Sequence, residues 1–280
     1  MLEGNPDDKQ SLSRADLAAR IKMPAWSGYK VLPERTVKIK QHQDNVQFAA
    51  MVEAVDQSLG RVLAKLKDLH LDDNTIVILF SDNGGMSAAN FGRPNRVVHA
   101  DQLDRAFSTS NVPLRGAKGW LYEGGIREPL IIHWPAGGRK GTVCDVPVIS
   151  TDFYPTILEM AGLPPKPKQH RDGVSIAALV KGAKELDRAA IYWHFPHYSN
   201  HGMQSPGGAI RAGDYKLLEY FERNTVQLFN LRDDIGEQKD LSKSNPKKVA
   251  ELKAMLHAWR NDVDAQTMLP NPNYVSGQQR

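Results

Sequence analysis

The 280-residue chain has one cysteine, Cys144, which excludes an intrachain disulfide and a cysteine-built zinc site. Nowhere does an apolar run approach the ~20 residues of a membrane span, so no membrane partner is expected. The opening stretch MLEGNPDDKQSLSRADLAARIK is charged and lacks the apolar centre of a signal peptide. Read literally, that places the chain in the cytoplasm. A strong bias of charge is also missing. The 36 basic and 32 acidic residues leave a net +4, and no run of Lys or Arg is interleaved with aromatics. Nucleic acid is therefore not an expected partner, whereas a mildly basic surface suits anionic substrates. Composition is otherwise that of a globular protein long enough to bury a substantial core. Cys144, in GTVCDVPVIS, reads as a buried thiol on a strand edge.

Residues 1–43 show no strong period and read as an irregular N-terminal segment. From 44 to 70, Val52, Val55, Leu59, Val62, Leu63, Leu66 and Leu69 recur at spacings of three and four. This is one apolar face of an amphipathic helix, with Asp44 as its expected N-cap. The run TIVILF that follows has no polar alternation, which predicts a strand covered on both faces, as in a parallel sheet flanked by helices. EPLIIHWP, at 128–135, predicts a second strand stopped by Pro135. TDFYPTILEMAG reads as a helix capped by Thr151 or Asp152 and ended by Gly162; SIAALVKG is a short helix ending at Gly182. Beyond about 185 the texture changes. AAIYWHF, GGAIRAGDYKLLEYF and TVQLFNL are short alternating strands of an antiparallel sheet, closed by a helix over NPKKVAELKAMLHAWRNDVDAQ. The expected organisation is thus 1–43 irregular, 44–184 α/β, and 185–280 a smaller α+β domain.

Three stretches carry chemistry. In ILFSDNGG, a buried strand ends in Asp82 and Asn83 followed by two glycines. A carboxylate and an amide are hard oxygen ligands for Ca²⁺ or Mg²⁺, placed where α/β sheets bind ligands. Asp-Asn-Gly is equally an ordinary turn, and these residues alone favour the turn. In PLRGAKGWLYEGGIREP, Arg115, Lys118 and Arg127 lie on a glycine-rich scaffold, with Glu123 and Glu128 available to hold the arginines. Such a group suits sulfate or phosphate, or is a solvated hairpin. In YWHFPHYSNHG, His194, His197 and His201 fall close together without a one-face helical spacing, so they read better as an aromatic rim than as metal ligands. His99, His133 and His170 are isolated and read as structural.

Together and in order, AAMVEAVDQSLGRVLAKL, NTIVILFSDNGG, LRGAKGWLYEGGIREPLIIHWP, STDFYPTILEMAGLP, DGVS, RAGDYKLLEYF and QLFNLRDDIGEQKDL resemble the sulfatase family of the alkaline-phosphatase-like superfamily. The resemblance implies an α/β fold: a mixed sheet flanked by helices, plus a smaller C-terminal domain with a four-stranded antiparallel sheet and a packed helix. It implies hydrolysis of sulfate esters of glycans or aryl alcohols at a divalent cation, usually Ca²⁺, in a periplasmic or secreted setting. Asp82 and Asn83 match two of the family's metal ligands, Lys118 its sulfate-contacting lysine, and His194 and His197 an element lining the substrate cleft.

The departures are as specific. The family's nucleophile motif, Cys or Ser followed by x-Pro-x-Arg, is converted to formylglycine; this sequence contains none, and CDVPV at Cys144 is not one. Asp7 and Asp8 in PDDKQ follow no strand and do not replace the family's N-terminal pair of metal-binding aspartates. The expectation is the C-terminal part of a glycan-type sulfatase, incompletely liganded for its metal and associating through faces that truncation uncovers. A phosphate or phosphonate hydrolase of the same scaffold, or a non-catalytic remnant, are the alternatives.

Overall fold

A computed structural model describes residues 26–32, 35–40, 42–87, 107–199, 204–269 and 272. His99 and His201, and Asp7 and Asp8, lie outside them. The N-terminal segment is less irregular than expected. Strands β1 (Trp26–Leu32) and β2 (Arg35–Lys40) pair antiparallel, with the register shifting between Lys30 and Leu32. The Lys40 amide then donates to the Ser87 carbonyl at 2.8 Å.

Helix α1 (Val46–Asp68) forms where the apolar period predicts it, but its cap is Asn45, not Asp44. The Asn45 side chain accepts the Phe48 amide at 3.1 Å, while the Asp44 carboxylate is drawn to Lys40 Nζ at 2.7 Å. No residue of this 23-residue helix is buried, and Val52, Val55 and Val62 stand in the open.

β3 (Val77–Phe80) pairs antiparallel with β4 (Leu130–His133), Phe80 facing Leu130 and Val77 facing His133. The expected parallel pairing and two-sided cover of TIVILF are not found among the described residues; Phe80 is 40% exposed and Ile131 61%. An unbroken apolar run reports burial propensity and says nothing about the direction of the neighbouring strand.

Between these strands lie the loop 81–87 and a glycine-rich loop ending in the single turn α2 (Glu123–Ile126). Helix α3 (Phe153–Met160) follows a 3₁₀ turn, Ser150–Asp152. Buried Asp152 accepts the Ile149 and Val174 amides and a two-pronged bond from Arg188 at 3.0 and 2.7 Å. Trp134, Met160 and Ala177 pack α3 and α4 (Ala177–Val180) against β4. Residues 141–149 form no strand and Cys144 is exposed, against the expectation of a buried edge thiol. Its neighbour Val143 is 83% exposed, so the 141–145 end of this stretch stands open.

The C-terminal part has the expected α+β form. Strands β5 (Ile191–Phe195), β6 (Gly207–Ala212), β7 (Tyr215–Tyr220) and β8 (Thr225–Asn230) make one antiparallel sheet in sequence order. Alternation splits its faces. Ile210, Leu217 and Leu228 pack on Leu252 and Leu256 of helix α5 (Pro246–Asp262). Ala209, Leu218, Tyr220 and Phe229 pack instead on Ala117, Trp120, Leu121 and Tyr122 of the glycine-rich loop. One hydrophobic cluster therefore spans both parts of the chain. No helix among the described residues is long and apolar enough to cross a membrane.

Candidate active site

The site is built where two loops are sewn together. After β3, the Ser81 amide donates to Pro129 O at 3.3 Å and the Gly84 amide to Gly125 O at 3.2 Å. Gly85 O then accepts the Lys118 amide at 3.3 Å and Asn111 Nδ2 at 2.7 Å. The contact is too close for side chains: a Cβ on Gly84 would lie 1.8 Å from Gly124 O, and one on Gly124 2.6 Å from Gly116 O. The glycines of SDNGG and YEGGI are thus needed for backbone-to-backbone approach. The result places Asp82, Asn83 and Lys118 on one stitched pair of loops.

The β3–β4 register carries on past the ladder. With Phe80 opposite Leu130 and Ser81 bonded to Pro129, Asp82 falls opposite Glu128. Like charges so opposed are unfavourable. Burial pushes the Glu128 carboxyl up, Asp82 pushes it further, and it reaches about 7. Among the described residues Glu128 holds no arginine, and its Oε1 is buried without a hydrogen-bond partner. Asp82 is exposed, and its carboxylate makes no ion pair or hydrogen bond among the described residues. Among the described residues no protein cation pairs with either carboxylate, and with the Asn83 amide they offer oxygens of the hard type that divalent cations take. The set is partial, since no group of three or more His, Cys, Asp or Glu side chains placed to hold a metal occurs among the described residues.

Lys118 is half-buried, and its ammonium has no protein partner among the described residues. Arg115 is engaged: its Nη1 donates to Glu237 O at 2.7 Å and its guanidinium lies 4.2 Å from the centre of the Tyr122 ring. Arg127 stands 3.9 Å from Glu123, which leaves Lys118 as the cation of this stretch without a protein partner among the described residues.

The histidines are not brought into this group. Trp193 and Phe195 face the glycine-rich loop, so His194 points to the other face of β5. There its Nε2 lies 2.6 Å from Gln266 O and its ring packs on Phe221. His197 is exposed beyond the strand, edge-on to Phe195.

Sequence reasoning missed the support beneath the loop. Glu123, expected to hold arginines, does stand 3.6 Å from Arg211 and 3.9 Å from Arg127, but its main partner is Lys216 of β7, at 2.9 Å. Lys216 also lies 3.0 Å from Glu237 Oε1, and the Glu123 amide donates to Glu237 Oε2 at 2.7 Å. Burial alone would raise the Glu123 carboxyl; Lys216 and the two arginines outweigh it and hold it below its ordinary value. Glu237, more deeply buried and beside Glu123, is pushed up to about 7 despite Lys216. A lysine inside the apolar strand YKLLEY was the one sequence signal, and nothing local names its partners.

Comparison with known proteins follows this geometry. The family model "Sulfatase" matches residues 13–163, and the model "N-sulphoglucosamine sulphohydrolase, C-terminal" matches 117–266. A "Sulfatase" of Formosa agariphila is 35% identical over 234 residues, covering 76% of this chain and 39% of the relative. Human N-acetylgalactosamine-6-sulfatase is 31% identical over 147 residues, 52% of this chain and 26% of that one. The crystal structure of Ps i-CgsB in complex with k-i-k-neocarrahexaose superposes with a TM-score of 0.61 at 31% identity, over 75% of this chain and 42% of that one. The chain spans less than half the length of each of these relatives.

Proposed function

Because this chain belongs to the sulfatase family, we propose that it supplies the cation-binding and sulfate-gripping part of a sulfuric-ester hydrolase acting on sulfated glycans. The observation that carries this reading is the Lys118 amide bonded to Gly85 O, which sets an unpartnered ammonium on the same stitched loops as Asp82 and Asn83. The match of residues 117–266 to an N-sulphoglucosamine sulphohydrolase model, and the likeness to an N-acetylgalactosamine-6-sulfatase, favour a sulfated sugar over a phosphate ester.

Asp82 and Asn83 would hold a hard cation, Ca²⁺ by family, with the Glu128 carboxylate opposite adding to the negative potential there. Bound, that cation would act as a Lewis acid on the sulfuryl oxygens. Lys118 would hold a sulfuryl oxygen through a charge-assisted hydrogen bond that strengthens as negative charge develops on the ester. The glycines let the two backbones bond directly and fix both loops, so the charges would need little reorganisation during transfer. No covalent nucleophile of the family's kind is present in residues 1–280, so the chain's own residues bind and stabilise the sulfuryl group and do not attack it. In the chain as it stands, the uncovered faces of α1 and β4 favour association with a partner.

The test fuses a nucleophile-bearing N-terminal segment of a family relative to residue 44 and measures hydrolysis of 4-nitrophenyl sulfate against 4-nitrophenyl phosphate. Sulfate-selective turnover that requires added Ca²⁺ supports the reading. A folded fusion without sulfatase activity, or one selective for phosphate, overturns it.

A further inference from the structure

We infer that Glu237 and Lys216, two buried residues of the C-terminal sheet unit, are positioning residues for the Asp82–Asn83–Lys118 site. Neither touches that site; they act through the backbone of the glycine-rich loop. Glu237 uses three separate groups, two on the loop and one on Lys216 of β7. Its Oε2 accepts the Glu123 amide, its carbonyl accepts Arg115 Nη1, and its Oε1 faces Lys216 Nζ. Lys216 returns to the loop through Glu123 Oε1. The loop is therefore gripped at both ends of the arc that carries Lys118, at Arg115 and at Glu123. The Gly124 amide closes that arc on Arg115 O at 2.6 Å, and Gly84 and Gly85 are bonded to it at Gly125 and Lys118.

The backbone of Glu237 is committed to this task. Its φ of +51° lies in the left-handed region, which a non-glycine residue adopts only where the surroundings over-determine it. The turn containing it is also close to the site segment, since a Cβ on Gly236 would meet Pro113 O at 3.0 Å. Both side chains are wholly buried, with no access to a ligand. A buried ion pair is a weak source of net stability but fixes geometry when its members are hydrogen-bonded on several sides. The C-terminal sheet unit is thus the rigid bed on which the cation-binding and sulfate-gripping loops are aligned.

This inference rests on the site reading above, and its test separates the two. Hydrogen exchange by mass spectrometry on the full 280-residue chain compares the parent with Glu237→Ala and Glu237→Gln. Peptides over 81–87 and 115–126 report the site, and peptides of α5 serve as the reference. Glu237→Ala removes the acceptor of the Glu123 amide and is expected to speed exchange at the site about tenfold, with α5 unchanged. Glu237→Gln keeps an acceptor and loses the charge, so about threefold is expected. If the alanine variant does not fold, the glutamine variant decides. Parental exchange at the site, or an equal loss of protection in α5, overturns the positioning role. Terbium titration followed by tryptophan-sensitised luminescence provides the second readout, with Glu237→Ala binding about tenfold more weakly. A parent chain that binds no terbium would sink the cation-site reading, while the exchange comparison would still judge Glu237.

Discussion

Lys216 Nζ stands 2.9 Å from Glu123 Oε1, and the two side chains are 0% and 2% exposed. The pair crosses from the C-terminal sheet to the loop that carries Lys118, and a second buried carboxylate, Glu237, shares the same ammonium. Replacing Lys216 by methionine keeps the stem and deletes the charge, leaving two carboxylates facing each other in the interior. Breaking a buried pair in this way costs about 3–5 kcal/mol. Urea unfolding of Lys216→Met should show a loss of this size, with an unchanged m-value. A loss below about 1 kcal/mol would mean that the carboxylates have water or another cation to turn to.

Gly84→Ala tests the joint between the loops. The added Cβ would meet Gly124 O at 1.8 Å, which is backbone and cannot swing aside. The loops must separate, at a cost of about 1–3 kcal/mol or more. Gly60→Ala, where nothing lies within 4 Å, should by contrast be neutral or slightly stabilising, since alanine is the better helix former. Thermal denaturation of the two variants side by side checks both signs.

Glu128 gives a prediction in pH. Its carboxyl is raised from the ordinary 4.5 to about 7 in the folded chain. Between those values the folded state holds the proton more tightly than the unfolded one, so this group's contribution to stability falls as pH rises from about 4.5 through 7. Glu128→Gln removes the titration. The group is only partly buried, so the gain over the parent at pH 7.5 is discounted to about 1 kcal/mol, shrinking toward pH 4.5. Chemical denaturation across pH 4.5–7.5 in the presence of a chelator measures it. A constant difference between parent and variant would refute the cause assigned to Asp82 and burial.

Lys118 carries the most direct prediction about activity. Residues 1–280 alone should not hydrolyse 4-nitrophenyl sulfate, and should bind Ca²⁺ weakly, because hard cations prefer six or more oxygens. In a chain completed with a nucleophile-bearing segment, Lys118→Ala should lower turnover by about 10²–10³-fold, the scale for losing one aligned electrostatic stabiliser. Lys118→Arg should also impair it, since a planar fork does not fit a point-charge site. Unchanged turnover in the alanine variant would remove the lysine from the mechanism.

Much of this could be read from the sequence because the signals were local. The period of α1 and the alternation of β5 to β8 each reflect constraints within a few residues; the glycines at 84 and 124 are conspicuous locally, but what they answer to is the approach of one loop to the other. The strand direction of β3 and the exposure of Cys144 depend on neighbours far along the chain, and the choice of Asn45 over Asp44 as cap turns on a competing ion pair. Asp44 illustrates the limit: it has a capping side chain, but Lys40 claims it. Asp82 and Asn83 read locally as a turn and became candidate metal ligands only through the family resemblance; that Glu128 lies opposite Asp82 was visible only in the register. Lys216 and Glu237 carried no recognisable pattern, because their partner Glu123 lies 93 and 114 residues away.

That separation has a consequence for how the chain is made. Glu123 leaves the ribosome 114 residues before Glu237 does, an interval of roughly 6–20 s at ordinary rates of synthesis. Lys216 follows Glu123 by 93 residues, so for most of that interval the glycine-rich loop has neither partner, and to its end it lacks the Glu237 clamp. Closing so long a loop is an entropic step that the local hairpins of β5 to β8 do not face. The loop bearing Lys118 is therefore among the last parts of the molecule to set, and a chain cut short before Glu237 would leave that loop without this anchor.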